Sequence, residues 1–130
     1  MIDAIKHEKE TRNLTIHVRS VLLQGLLCSE DDSNWLIAGI ENNNEIINWL
    51  NTKFKQYEKK SIADLCVGYV NSQEWVDSVV IGVDSKKNLI SNMKSISMPL
   101  MSNEALNDLK SSRPFVKEEQ LNPVNWRTNI

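Results

Sequence analysis

Leu14-Thr15-Ile16-His17-Val18-Arg19-Ser20 and Asp77-Ser78-Val79-Val80-Ile81-Gly82 are the two stretches that decide the architecture. The first is rich in β-branched residues and alternates moderately between apolar and polar, which predicts a strand. It runs directly into Val21-Leu22-Leu23-Gln24-Gly25-Leu26-Leu27, a turn too apolar for solvent, so protein or ligand must cover it. The second stretch is short and nearly continuously apolar, the pattern of a strand buried on both faces of a parallel sheet. It ends in Gly82-Val83-Asp84-Ser85, a turn with two candidate helix caps.

Helical spacing dominates elsewhere. Residues 1–12 read as a short or incomplete helix. Residues 28–44 read as a long polar connection anchored by Trp35, Leu36 and Ile37, and long ordered connections are disproportionately functional. The run Asn42-Asn43-Asn44 supplies a cap, and Ile47, Leu50, Phe54 and Tyr57 then recur on one helical face. Lys53, Lys55, Lys59 and Lys60 load the end of that helix with positive charge, as the helix dipole favours, and read as a solvated end. Ser61-Ile62-Ala63-Asp64 has the form of a capping box ahead of a helix with Ile62, Leu65, Cys66 and Tyr69 inward. After Ser85 a helix turns Leu89, Ile90, Met93 and Ile96 inward until Pro99 stops it. Ser102 caps a last helix with Leu106 and Leu109 inward, and the aperiodic tail from Ser111 to Ile130 drapes over the body. Strands alternating with helices predict an α/β fold of right-handed β-α-β units, with two parallel strands and about five helices.

Composition narrows the class. With 41% apolar and 25% charged residues, 4 Gly and 3 Pro, the chain is neither collagen-like nor low-complexity nor disordered. A net charge of −2 gives no electrostatic case for nucleic acid. No apolar run is long enough to span a bilayer, and Met1-Ile2-Asp3-Ala4-Ile5-Lys6 lacks the form of a secretory leader, so no membrane partner and a cytoplasmic location are expected. Cys28 and Cys66 have no histidine near them in sequence. With only His7 and His17 elsewhere, no zinc set is expected, and both thiols read as structural. His17, inside a strand, reads as a satisfied or surface histidine.

In parallel β/α architectures ligands gather at the carboxyl ends of the strands. Ser20, Gln24 and Gly25 follow the first strand here. Gly82, Asp84 and Ser85 follow the second and open a helix whose free amides can hold an anion. Each cluster by itself is also ordinary turn chemistry.

Together the two clusters resemble a known family. Ser20-Val21-Leu22-Leu23-Gln24-Gly25-Leu26-Leu27 is similar to the stretch after strand seven of the aldo/keto reductases. Val80-Ile81-Gly82-Val83-Asp84-Ser85-Lys86-Lys87-Asn88-Leu89-Ile90-Ser91-Asn92 resembles their strand-eight signature. Pro99-Leu100 and the terminal Asn122, Pro123 and Trp126 resemble their tail, so the likeness spans residues 10–127. It implies a partial eight-stranded β/α (TIM) barrel, with residues 1–130 forming the C-terminal part of an NADP-dependent oxidoreductase domain. Such a barrel typically needs about 250 residues, against 130 here.

The resemblance also implies a site. Ser20 and Leu22 would line the pyrophosphate and nicotinamide side of NADP, and Gln24 and Gly25 would shape the turn. Gly82, Asp84, Asn88 and Asn92 would surround the adenosine and its 2′-phosphate. The sequence departs from the family pattern at Ile81, Asp84, Asn88 and Ser91. An aspartate repels a 2′-phosphate, which leaves NAD open as the alternative. The family's Asp, Tyr, Lys and His tetrad comes from earlier strands, and Tyr57 and Tyr69 read as core residues. No catalytic residue is therefore assigned to this chain. It is expected to act on a carbonyl substrate only within a full barrel or with a partner supplying the N-terminal half. The alternative is a non-catalytic nucleotide-binding or self-associating half-barrel.

Overall fold

The computed structural model describes residues 1–126. The last four residues of the expected tail, and the end of the span of family likeness, lie outside them. The fold is mixed α/β and mostly helical, with six helices and a two-stranded sheet among the described residues. Helix α1 (Ile2–Arg12) leads to β1 (His17–Arg19), a 3-10 turn (Leu26–Cys28), α2 (Asp32–Ile37), α3 (Asn43–Gln56) and α4 (Ile62–Asn71). Then follow β2 (Ser78–Val80), α5 (Lys86–Ile96), α6 (Asn103–Ser112) and two 3-10 turns, Glu118–Leu121 and Pro123–Asn125.

The two strands pair in parallel, with His17 opposite Ser78, Val18 opposite Val79 and Arg19 opposite Val80. Asp77 locks the register. Its carboxylate accepts from the Ile16 amide at 2.7 Å and from Lys9 Nζ at 2.7 Å, tying α1 and both strands together. The Ile16 amide, and after it Lys9, hold that carboxyl below the usual aspartate range. His17 is satisfied across the sheet, since its Nδ1 hydrogen-bonds Ser78 Oγ.

The core forms where the apolar segments cross. α4 packs against α3, α5, β2 and the turn Leu26–Cys28. Leu26, Trp35, Ile40, Ile46, Leu50, Leu65 and Leu109 make its buried centre. Trp35 corrects the sequence expectation of an irregular 28–44 connection. Its indole is buried and donates to the Ser29 carbonyl at 3.0 Å, anchoring α2, which Asp31 caps by accepting from the Ser33 amide. The caps read from sequence at Ser61, Ser85 and Ser102 each accept from the amide three residues on. Ser61 does not form a full box. The Asp64 carboxylate is buried and accepts from Ser95 Oγ instead, latching α4 to α5.

Four helix and strand faces differ from expectation. On α3 the buried residues are Asn43, Ile46, Leu50 and Lys53, with Ile47 and Phe54, and Tyr57 just past its end, only partly covered. Lys53 is therefore not solvated. On α4, Leu65, Val67 and Gly68 lie deeper than Ile62, Cys66 and Tyr69, because the helix is covered from several sides. β2 is not buried on both faces, and Val80 is exposed. α5 carries the largest correction. Leu89, Ile90, Met93 and Ile96 face outward, and the helix rests on the body through polar Ser95 and Asn92. Periodicity identifies an apolar face, but it does not supply the layer that would cover it.

Candidate functional site

The carboxyl ends of β1 and β2 open onto one cavity of about 460 Å³. Val21, Leu22, Val80, Ile81 and Val83 provide its apolar lining, and Ser20, Gln24, Asp84 and Asn88 its polar side chains, with Gly25 and Gly82 between them. Seven of the eight residues singled out from sequence thus converge. The eighth, Asn92, stands one helical turn behind Asn88, and its Nδ2 donates to the Gly82 carbonyl at 3.4 Å.

The loop on the β1 side is conformationally costly. Ser20 has φ 61°, Leu23 49°, Gln24 54° and Gly25 86°, so three side-chain-bearing residues sit in the left-handed region that only glycine enters freely. Leu23 and Gln24 occupy the centre of a tight turn closed by the Gly25 amide donating to the Leu22 carbonyl at 2.9 Å. Two consecutive positive φ values at a turn centre ordinarily call for Asn-Gly. No turn signal in Leu23-Gln24 reveals this geometry. Burial holds it in place, because Leu23 and Leu27 pack against the core and Leu26 is inside it. This answers how the apolar turn is covered. Strained backbone of this kind costs of order 1–3 kcal/mol per residue and clusters at ligand sites.

The β2 side is built around the start of α5. Ser85 Oγ accepts from the Asn88 amide at 3.1 Å. Asn88 Nδ2 donates to the Asp84 carboxylate, orienting that group at the cavity. Gly82 has an ordinary backbone conformation, and a Cβ placed on it would meet nothing within 4 Å. No packing within the chain requires a glycine there. Among the described residues no lysine or arginine lines the cavity, so its only formal charge is that of Asp84.

No tyrosine or histidine lines it either. Tyr57 belongs to a second constellation that sequence reasoning missed. Its hydroxyl donates to Asp108, which also takes a salt bridge from Lys53 Nζ at 2.6 Å. The Lys53–Asp108 separation of 55 residues leaves no local signal. Burial first, then the Asp108 carboxylate, push the Tyr57 hydroxyl up to about 12. A proton held that tightly suits a structural clamp between α3 and α6, not an acid. Cys28 and Cys66 are both free thiols. Burial, then neighbouring Cys28, raise Cys66 to about 12. Among the described residues no group of three or more His, Cys, Asp or Glu is placed to hold a metal ion. Nor is any described helix long and apolar enough to cross a membrane.

Comparison with protein-family models, with curated proteins and with solved structures returns no match to this chain.

Proposed function

We propose that the chain is the cofactor-side portion of an aldo/keto reductase barrel and binds a nicotinamide dinucleotide across the ends of β1 and β2. One observation carries this: the strained Ser20–Gly25 loop and the Gly82–Asn88 turn, far apart in sequence, face one cavity at the carboxyl ends of two parallel strands. That is where parallel β/α proteins collect phosphorylated ligands. The open space beside Gly82 supports it, since close approach of a ligand explains a glycine that internal packing does not. In this reading Ser20, Leu22, Gln24 and Gly25 hold the pyrophosphate and nicotinamide side, and Gly82, Asp84, Asn88 and Asn92 the adenosine. NADP is the family's cofactor, and the Asp84 carboxylate in a cavity without a cation makes NAD the competing choice.

The bound dinucleotide would supply hydride to an aldehyde or ketone. These residues would bind and orient it, and none is placed to deliver the proton that carbonyl reduction also needs. The 130-residue chain alone is therefore proposed to bind weakly and to be inactive, with catalysis belonging to a complete barrel.

The test is amide NMR of the chain titrated with NADPH and NADH at millimolar concentration, beside a carbonyl-reduction assay. Shifts confined to residues 20–25 and 82–92, without turnover, are expected. Absence of shifts there with either dinucleotide overturns the reading. Turnover by the purified chain overturns the assignment of the proton donor to other elements.

A further inference from the structure

A cavity of about 520 Å³ lies among α3, α4, α6 and the segment that follows α6. That size falls within the roughly 300–1,000 Å³ of small-molecule sites, which form readily between packed helices. Leu65 on α4 and Leu109 on α6 are buried and make its floor, and Trp49 and Tyr69 line half-buried sides. Phe115 and Leu121, 80% and 47% exposed, stand at its mouth. The wall that carries them is pinned to the body. Asn42 Nδ2 donates to the Phe115 carbonyl at 3.2 Å, and Gln120 Nε2 donates to the Gly39 carbonyl. No residue of β1 or β2 lines the cavity, which sets it apart from the sheet edges at which further strands would pair.

Charge then says what kind of molecule fits. Lys110 and Arg113 are the charged side chains of the lining, both exposed and therefore at the rim, and no acid accompanies them. Among the described residues neither takes part in an ion pair. The strand-end cavity has the opposite character, with Asp84 and no cation. Both cations stand at the C-terminal end of α6, where positive charge also complements the helix dipole, but that role needs no cavity beside it.

We infer that this cavity binds an amphipathic monocarboxylate, its hydrocarbon chain against the Leu65 and Leu109 floor and its head at the rim. The planar Arg113 guanidinium can pair a carboxylate through two parallel hydrogen bonds, and Lys110 adds a second positive charge. Burial of the chain supplies the non-directional part of the affinity, and the two cations select its sign. The site is independent of any dinucleotide, since the two cavities share Val21 alone among their lining residues.

Calorimetric and amide NMR titration of the full chain with dodecanoate, below its micelle concentration, tests this. Saturable one-to-one binding is expected, with shifts centred on residues 65–70 and 109–116. Dodecyltrimethylammonium, with the same chain and the opposite charge, should bind at least about 10-fold more weakly. The double variant Lys110→Gln, Arg113→Gln, altered only at exposed positions, should lose affinity for dodecanoate by a similar factor, with its circular dichroism unchanged. Absence of saturable binding at millimolar dodecanoate overturns the proposal, as do shifts centred elsewhere or equal affinity for the cationic amphiphile. A double variant that loses stability but keeps its affinity assigns the two cations to the α6 dipole and overturns it too.

Discussion

Lys53 Nζ lies 2.6 Å from Asp108 Oδ2, and the lysine, on the buried side of α3, has 11% of its side chain exposed against 37% for the aspartate. Tyr57 donates its hydroxyl to the same carboxylate oxygen, so one acid on α6 clamps the last turn of α3 and the residue that caps it. The asymmetry in burial decides what each substitution does. Removing the aspartate strands a buried ammonium, whereas removing the lysine leaves an acid that water can reach.

The first prediction follows for acid pH. Lys53, then Tyr57, hold the Asp108 carboxyl below its ordinary value of 3.8. A lowered folded-state value stabilises the fold above that ordinary value, and the contribution is lost as pH falls through the folded-state value. Asp108→Asn should therefore melt at lower temperature than wild type near neutrality, with the difference shrinking on acidification below 3.8. Lys53→Met, which keeps the packing of the stem, should be milder. Thermal melts against pH measure both, and a gap that stays constant into acid contradicts the linkage.

At alkaline pH the sign is opposite. Tyr57 ionises at about 12 in the folded chain against 10.0 for a free tyrosine. Its contribution is complete below 10.0 and disappears as pH rises through about 12. Ultraviolet titration of wild type minus Tyr57→Phe should show a phenolate step near 12. A step at the free-tyrosine position would mean that the clamp is open in solution.

The Ser20–Gly25 loop yields a prediction about strain. Gln24, at φ 54°, adopts a conformation that glycine enters without penalty. Gln24→Gly should stabilise the fold by roughly 1 kcal/mol. Gly25→Ala, at φ 86° with open space around the missing Cβ, should destabilise it by a similar amount through backbone strain alone. Urea unfolding measures both. If Gln24 contributes to dinucleotide binding, its replacement by glycine should also reduce the NMR shifts at this loop, separating stability from binding.

The gains from sequence lie where the deciding physics is local. Ser61, Ser85 and Ser102 were legible as caps because a hydroxyl three residues before an amide needs no distant partner. The parallel pairing of residues 17–19 with 78–80 was legible in outline, because β-branched runs separated by helices leave little other topology. Both strand-end clusters could be named from their residue types, and the fold brings them to one cavity.

Long-range geometry decided the rest. Lys53 in a basic run looks identical whether it meets water or an aspartate 55 residues away. The stripe Leu89, Met93 and Ile96 announces a face to be buried, yet only the assembled body shows that no described layer reaches it. Leu23 and Gln24 carry no sign of left-handed backbone, because the burial of Leu23 beside Leu26, not any turn propensity, holds them there. Sequence by itself determined five of the six described helices, the serine caps of α4, α5 and α6, the two strands and the residue types that stand at the strand ends. Tertiary structure decided which charges are paired, which apolar face stays open and where the backbone is strained, since burial depends on what the rest of the chain places nearby.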